Sequence, residues 1–366
     1  MLKHWKMISI YSGTHFLVDF ACAFLMFSAI RQSPEWFTCI LIYNFCAFAM
    51  QMPIGIVADK ISRNNFVAGL GTAMVAAGYG IVLLPSAAGS GLAGAPLAGA
   101  LTAAPLAAAA VIGLGNAMFH VGGGVDFLNV SENKSAALGI FVSPGAFGVF
   151  FGTMLGRAGS AIVVPILVAL LAAALLIFPM SRIRGGNVPP NAPFSPEVPP
   201  KLFAAVIGLF AVVCLRSYVG LSIDFPWKGV GYWGLALVCA SAFGKTIGGF
   251  LFDKFGGIKT ATITLGAASL LFLLPHVPIA GVSSILLFNM TMPITLWLVA
   301  KCIPGAKGFS FGLLTFALFL GFLPVYLGTA APPFWLYAIL SAISLALLMF
   351  ALNRFNNPSQ KEPELI

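Results

Sequence analysis

Twelve long apolar stretches, broken by short polar segments, constrain this chain more than anything else in it. They fall near residues 7–29, 35–58, 66–84, 100–122, 133–156, 159–180, 201–223, 229–252, 258–275, 278–300, 308–328 and 333–353. About 20 apolar residues is the length at which an α-helix crosses the hydrocarbon core of a bilayer. Inside lipid the backbone must satisfy its own hydrogen bonds, so each stretch is predicted to be a helix. Composition agrees: 60% of residues are hydrophobic, 8% are charged and the mean hydropathy is +1.00. So few charges cannot cover the surface of a soluble chain of this length. The expectation is an all-α membrane protein with twelve transmembrane helices.

The net charge of +9 does not point to nucleic acid, because the basic residues sit in the short loops. With the N-terminus inside, all the loop lysines and arginines face the cytoplasm except Arg31, Arg157 and Lys228. That asymmetry predicts a multi-pass protein of the plasma (inner) membrane with both termini cytoplasmic. Lys3, Lys6 and Ala21-Cys22-Ala23 resemble a signal peptide. Asp19 interrupts its core, however, and the apolar run continues to Ile30, so an uncleaved first helix is expected. Cys22, Cys39, Cys46, Cys214, Cys239 and Cys302 are scattered without a CxxC pair and read as buried thiols.

The chain is duplicated. The longest polar gap, SRIRGGNVPPNAPFSPEVPPK, follows the sixth span and is rich in proline. It reads as a cytoplasmic linker, 181–200, between pseudo-symmetric six-helix bundles at 1–180 and 201–366. GIVADKISRN (55–64) and GFLFDKFGGIK (249–259) share Gly-x-x-x-Asp-Lys, and Asp253 − Asp59 gives an offset of 194. A second set has an offset of 173: Asn116 with Asn289, Lys134 with Lys307, Gly139 with Gly312, and Gly148 with Gly321. The difference, 194 − 173 = 21, places about 21 extra residues in the low-complexity stretch 86–106 of the first half. That stretch is expected to be an outer loop or helix extension.

Twelve spans with this loop in both halves resemble the major facilitator superfamily. Its loop pattern maps onto Gly55, Asp59, Lys60 and Arg63, with Ser62 where glycine is usual. In the second half it maps onto Gly249, Asp253, Lys254, Gly256 and Lys259. THFLVDF (14–20), GLGNAMFHVGGG (113–124) and CLRSYVG (214–220) look like the fosmidomycin-resistance branch, with Val121 where that branch often has proline. The resemblance implies the major facilitator fold, two bundles rocking around a midplane site, and a gate formed by Asp59, Lys60, Arg63, Asp253, Lys254 and Lys259. It also implies that spans one, four, seven and ten line the cavity.

Ionisable groups within spans cost about 2.5–3.5 kcal/mol each on insertion scales, so each is a candidate for function. His15 and Asp19 are one helical turn apart and share a face with Tyr11. They read as a proton-coupling pair, with Asp19 the carrier, or as a static buried hydrogen bond. Arg216 must meet an acid, a carbonyl or an anion. Asp19 and Asp224 are its candidate partners, and an anionic substrate is the alternative. Lys245 serves substrate or snorkels to the interface. Asn116, His120 and Asn289 are cavity candidates or inter-helix glue. The substrate-binding set is therefore Tyr11, His15, Asn116, His120, Arg216, Lys245 and Asn289. Gly122, Gly123 and Gly124 are expected to end or bend the fourth span, and Asp126 and Glu132 to form loop salt bridges near Lys134. The glycines of span five, Gly145, Gly148 and Gly152, are expected to let helices pack closely.

No zinc-ligand spacing, phosphate loop or Ser/His/Asp set appears, so neither an enzyme nor a metal or cofactor site is expected. The expected function is secondary transport of a small anionic or amphipathic molecule by proton-coupled efflux. Substrate, lipid and the proton gradient are its partners, without nucleic acid, and the chain works as a monomer. An importer or facilitator of an organic anion, and a non-transporting membrane sensor or scaffold, are the alternatives.

Overall fold

The computed structural model describes the backbone of residues 4–88, 95–182 and 188–356, and their side chains except at 83–88, 95–103 and 182. The first half comprises α1 (Trp5–Ser28), α2 (Trp36–Asn44), α3 (Gln51–Ile61), α4 (Asn64–Ala88), α5 (Ala95–Val130), α6 (Ala136–Val142), α7 (Pro144–Arg157) and α8 (Val163–Ile177). The second comprises α9 (Pro200–Ser222), α10 (Trp233–Phe255), α11 (Gly257–Leu271), α12 (Pro278–Asn289), α13 (Met292–Cys302), α14 (Lys307–Tyr326) and α15 (Phe334–Asn356). Among the described residues ten helical spans are long and apolar enough to cross a membrane, and α8 and α11 are shorter apolar helices.

Three spans are broken, which the apolar pattern does not show. A π-helical turn, Phe45–Ala49, joins α2 to α3. Pro144 opens α7, and Pro293 lies in the first turn of α13. Proline lacks an N–H and its ring clashes with the preceding turn, so the helix restarts there. Both proline breaks are used. Ser143 places its hydroxyl 2.8 Å from the Ala242 carbonyl of α10. The second break leaves Thr291 and Thr295 to receive Arg216.

The fourth span differs from expectation. It does not end at Gly122–Gly124 but continues as helix to Val130. The glycines serve close approach instead: a Cβ on Gly122 would strike the Asn64 carbonyl and Ala68, and one on Gly124 would strike the Phe311 ring. Of the stretch 86–106, the described parts are helical ends of α4 and α5, while residues 89–94 lie outside the described residues.

Close packing of span five is borne out. Gly148, Gly152 and Gly156 of α7 face the carbonyls of Phe16, Phe20 and Phe24 on α1, stepping by one turn on both helices. Small residues allow such backbone approach where lipid gives helices no hydrophobic reason to associate. Gly152→Leu is expected to destabilise the detergent-purified protein by about 1–3 kcal/mol through overpacking. Unchanged thermal unfolding would show that α1 and α7 do not depend on this contact. On the outside, Val164, Val168, Leu171 and Leu175 of α8 and Ile279 of α12 are exposed, a surface suited to lipid.

Candidate functional site

A cavity of about 440 Å³ lies between the halves. Its walls are mostly apolar, including Phe27, Phe48, Phe311 and Phe322, and one end is polar, with His15, Asp19, Asn116, His120 and Lys245. This size and lining suit a small molecule.

The polar end is built by two helix turns facing each other. His15 and Asp19 are i and i+4 on α1, and Asn116 and His120 are i and i+4 on α5. His15 Nε2 lies 2.8 Å from His120 Nε2 and 3.2 Å from the Asp19 carboxylate. His120 Nε2 is 3.7 Å from the same carboxylate. Asn116 donates its amide N–H to Asp19 Oδ1 at 2.8 Å. Gly145 of α7 clears the space, since any Cβ there would enter Asp19 Oδ2 and His15 Nε2.

The ring tautomers follow from the partners. His15 Nδ1 faces the Phe141 carbonyl, and His120 Nδ1 faces the Asn116 carbonyl at 2.9 Å. A carbonyl only accepts, so each Nδ1 donates. In neutral rings both Nε2 atoms then carry lone pairs, and these confront each other at 2.8 Å. The contact calls for a positive charge between them. His120 was expected as a cavity-wall residue; that it shares one cluster with His15 and Asp19 depends on the register between α1 and α5, which sequence spacing does not record.

The other expected substrate residues scatter. Lys245 lines the cavity, with Nζ 3.4 Å from the Val142 carbonyl. Arg216 is buried behind the wall and donates to Thr295 Oγ1 at 3.1 Å and Thr291 Oγ1 at 2.9 Å. It pairs with neither expected acid: Asp224 meets Lys228 at 3.4 Å. Among the described residues neither Arg216 nor Lys245 makes an ion pair. Asn289 donates to its own helix at Ile285 O and does not line the cavity. Tyr11 turns away from it and donates to Asp126 Oδ2 at 2.8 Å.

Asp126 is therefore not a loop residue. It is buried inside α5 and also accepts from Asn64 at 2.8 Å. The network runs on to the linker: Asn64 and Asn129 each donate to Asn191 Oδ1 at 2.8 Å, and Asn191 donates to Ala58 O at 3.1 Å. Farther along the linker, Ser195 N–H donates to Gly305 O in the second half at 2.9 Å. Residues 188–199 thus strap one face of the molecule.

That face is also latched by the two repeated carboxylates. Asp59 accepts N–H bonds from Gly308 at 2.8 Å and Phe309 at 2.9 Å, at the start of α14. Asp253 accepts from Ser135 at 2.6 Å and Ala136 at 3.3 Å, at the start of α6. Each acid reaches the opposite half, and both satisfy N–H groups that helix starts leave unpaired. The cavity runs from the centre toward the face opposite these latches, past Met26 and Phe27 of α1, Leu221 of α9 and Tyr326 of α14.

Among the described residues, the basic gate residues make no ion pair between the halves. Lys60 stacks over Phe194 of the linker at 5.1 Å and Lys254 over Phe255 at 5.0 Å. Arg63 and Lys259 are exposed. The departure at Ser62 carries a backbone cost: it ends α3 at φ +49°, in the left-handed region that favours glycine. Its counterpart Gly256 has φ +81°. Ser62 gains a contact in exchange, its hydroxyl accepting the Asn191 N–H at 3.1 Å.

No protein-family model and no curated protein matches the sequence. Solved structures do share the fold. The human organic anion transporter MFSD10 (TETRAN) aligns with a TM-score of 0.68 at 14% identity, over 94% of this chain and 99% of that one. A bacterial homologue of the iron transporter ferroportin, in an outward-facing state, aligns at 0.63 and 15%, over 97% and 99%. The E. coli fucose:proton symporter FucP aligns at 0.62 and 13%, over 94% and 98%. FucP is a major facilitator superfamily transporter. The chain therefore has the fold of a multi-pass membrane protein of the major facilitator type, twelve helices in two six-helix bundles.

Proposed function

We propose that the protein is a secondary transporter that exports a small anionic or amphipathic molecule by alternating access, driven by proton movement. The observation that carries this reading is the pairing of a two-carboxylate latch at one face with a charged cavity on its far side. Rocking of the halves needs such a closed face that can be released. The basic-loop asymmetry supports a cytoplasmic latch face. The neighbours are named for a sugar with protons, for iron and for organic anions, so the fold alone does not choose the cargo.

An anionic group on the substrate is supported by Arg216, which is buried, and by Lys245, half-buried on the cavity wall, neither with a carboxylate partner among the described residues. Burial of an uncompensated charge is costly, and a bound anion offsets it. Proton coupling is supported by the polar end of the cavity, where Asp19 is the proposed carrier and His15 and His120 are placed to exchange a proton with it. The same two cations also suit the second reading, an importer or facilitator of organic anions.

Flux into and out of proteoliposomes, with and without an imposed proton gradient, tests the proposal. Gradient-dependent transport of an anion is expected, and Asp19→Asn should leave exchange but abolish accumulation. Transport that ignores the gradient and survives Asp19→Asn would remove the coupling role. Arg216→Ala should abolish the thermal shift produced by the anion, and a shift unaffected by it would remove the anion role.

A further inference from the structure

The polar end of the cavity carries a donor set with a second use. His15 Nε2, His120 Nε2 and an Asp19 oxygen all lie within 4.8 Å of one another. We propose that they bind one divalent first-row transition-metal cation, with its remaining coordination positions turned toward the cavity. The inference stands on these three ligand atoms and does not need the transport reading.

Four observations converge on it. First, a metal about 2.1 Å from each ligand atom holds neighbouring ligand atoms about 3.0–3.4 Å apart, in octahedral or tetrahedral geometry. The two Nε2 atoms are 2.8 Å apart, His15 Nε2 is 3.2 Å from Asp19 Oδ2 and His120 Nε2 is 3.7 Å from Asp19 Oδ1, so one ion needs side-chain shifts that bring a single carboxylate oxygen to both rings. Second, both imidazoles are pre-oriented. Each Nδ1 is held by a backbone carbonyl, which leaves Nε2 as the free donor, the arrangement that fixes metal-bound histidines. Third, Asn116 holds Asp19 Oδ1 and leaves Oδ2 on the His15 side. Fourth, the two facing lone pairs require a cation. A proton is one occupant and a metal is the other.

The chemistry of the donors sets the class of ion. Two imidazoles and one carboxylate suit iron(II), manganese, cobalt, nickel or zinc, whereas magnesium and calcium favour oxygen ligands. Two imidazoles with one carboxylate and open positions is the arrangement used for non-haem iron. Lys245 lines the same cavity and Arg216 lies behind its wall. Their charge opposes a dication, so the site is expected to tighten when Lys245 is neutralised.

Cobalt(II) titrated into chelator-stripped protein in detergent, followed by visible ligand-field absorption and calorimetry, tests the inference. One cobalt per chain is expected, displaced by zinc and indifferent to excess magnesium. His120→Ala and Asp19→Asn should weaken binding at least about a hundredfold, with elution and thermal unfolding confirming that each variant is folded. Asp19→Glu should retain binding, and Lys245→Met should tighten it several-fold. These last two variants keep the inference testable if the ligand deletions do not fold. No saturable cobalt uptake by folded wild type would overturn it, leaving the proton as sole occupant. Stoichiometric binding that survives both deletions would also overturn it, placing the metal at His4 or His276. Absence of flux with cobalt binding intact would sink the transport reading and leave this site standing.

Discussion

Replacing Asp59 and Asp253 together by alanine is expected to separate the two halves at the latch face. Each carboxylate accepts two backbone N–H groups from the opposite half. Hydrogen bonds to charged groups contribute about 1.5–3 kcal/mol each when made within protein. Water recovers part of that in the open state, so the net loss is a fraction of the sum. Inverting a two-state equilibrium from 1:99 to 99:1 takes about 5.5 kcal/mol, and four such bonds sum to about 6–12 kcal/mol before water's share is returned. Single variants should shift the population partway, and Asp→Asn, which keeps one acceptor oxygen, less than Asp→Ala. Spin labels at the exposed positions Arg63 and Lys259, one in each half, read the opening as a longer distance. An unchanged distance in the double alanine variant would mean that packing alone closes this face. Packing does contribute: Gly55 and Gly308 meet so closely across the halves that a Cβ on either would enter the other's carbonyl.

Asp126→Ala is expected to cause the largest loss of stability among single substitutions near the cavity. It strands the Tyr11 hydroxyl and one Asn64 N–H in a buried setting. An unsatisfied buried donor costs about 1–3 kcal/mol, so the pair costs about 2–6 kcal/mol. Tyr11→Phe removes only one donor and leaves Asp126 with Asn64, so a smaller loss is expected. Because Asn64 also binds Asn191, Asp126→Ala should loosen the linker strap as well. Thermal unfolding in detergent, with proteolysis of the linker as a second readout, checks both effects. Equal stability of Asp126→Ala and Tyr11→Phe would show that Asn64 and Asn191 hold without the acid.

The spans were legible because bilayer thickness imposes a length on apolar runs. The second span was expected at 35–58, and its helices run from Trp36 to Ile61. Its π-helical turn left no trace in hydropathy, and neither did the breaks before Pro144 and near Pro293. Hydropathy averages over a window longer than a turn, and only the prolines hinted at the two later breaks. The repeated Asp-Lys loops identified the latch, but not which atoms close it. The adjoining lysines drew attention, whereas the carboxylates alone reach across, to backbone N–H groups that carry no sequence signature.

Within the cavity, spacing along one helix was readable and register between helices was not. His15 with Asp19, and Asn116 with His120, could each be placed on one face. Their meeting depends on how α1 slides against α5 and α7, which Gly145, Gly148 and Gly152 set by close contact. Tyr11 shares the His15 face by periodicity yet lies one turn deeper, where Asp126 takes it out of the cavity. The 173 offset pairs Asn116 with Asn289, but the two amides do different chemistry. Asn116 holds Asp19 across helices, whereas Asn289 donates to Ile285 O of its own helix.

The central claim is that one face opens as the other closes. Two label pairs in the same reconstituted protein test it most directly: Arg63 with Lys259 at the latch face, and Arg31 with Leu327 at the opposite face. The account predicts opposite changes, with the Asp59→Ala, Asp253→Ala variant lengthening the first distance and shortening the second. Distances that change together, or a second distance indifferent to the loss of both latches, would contradict it.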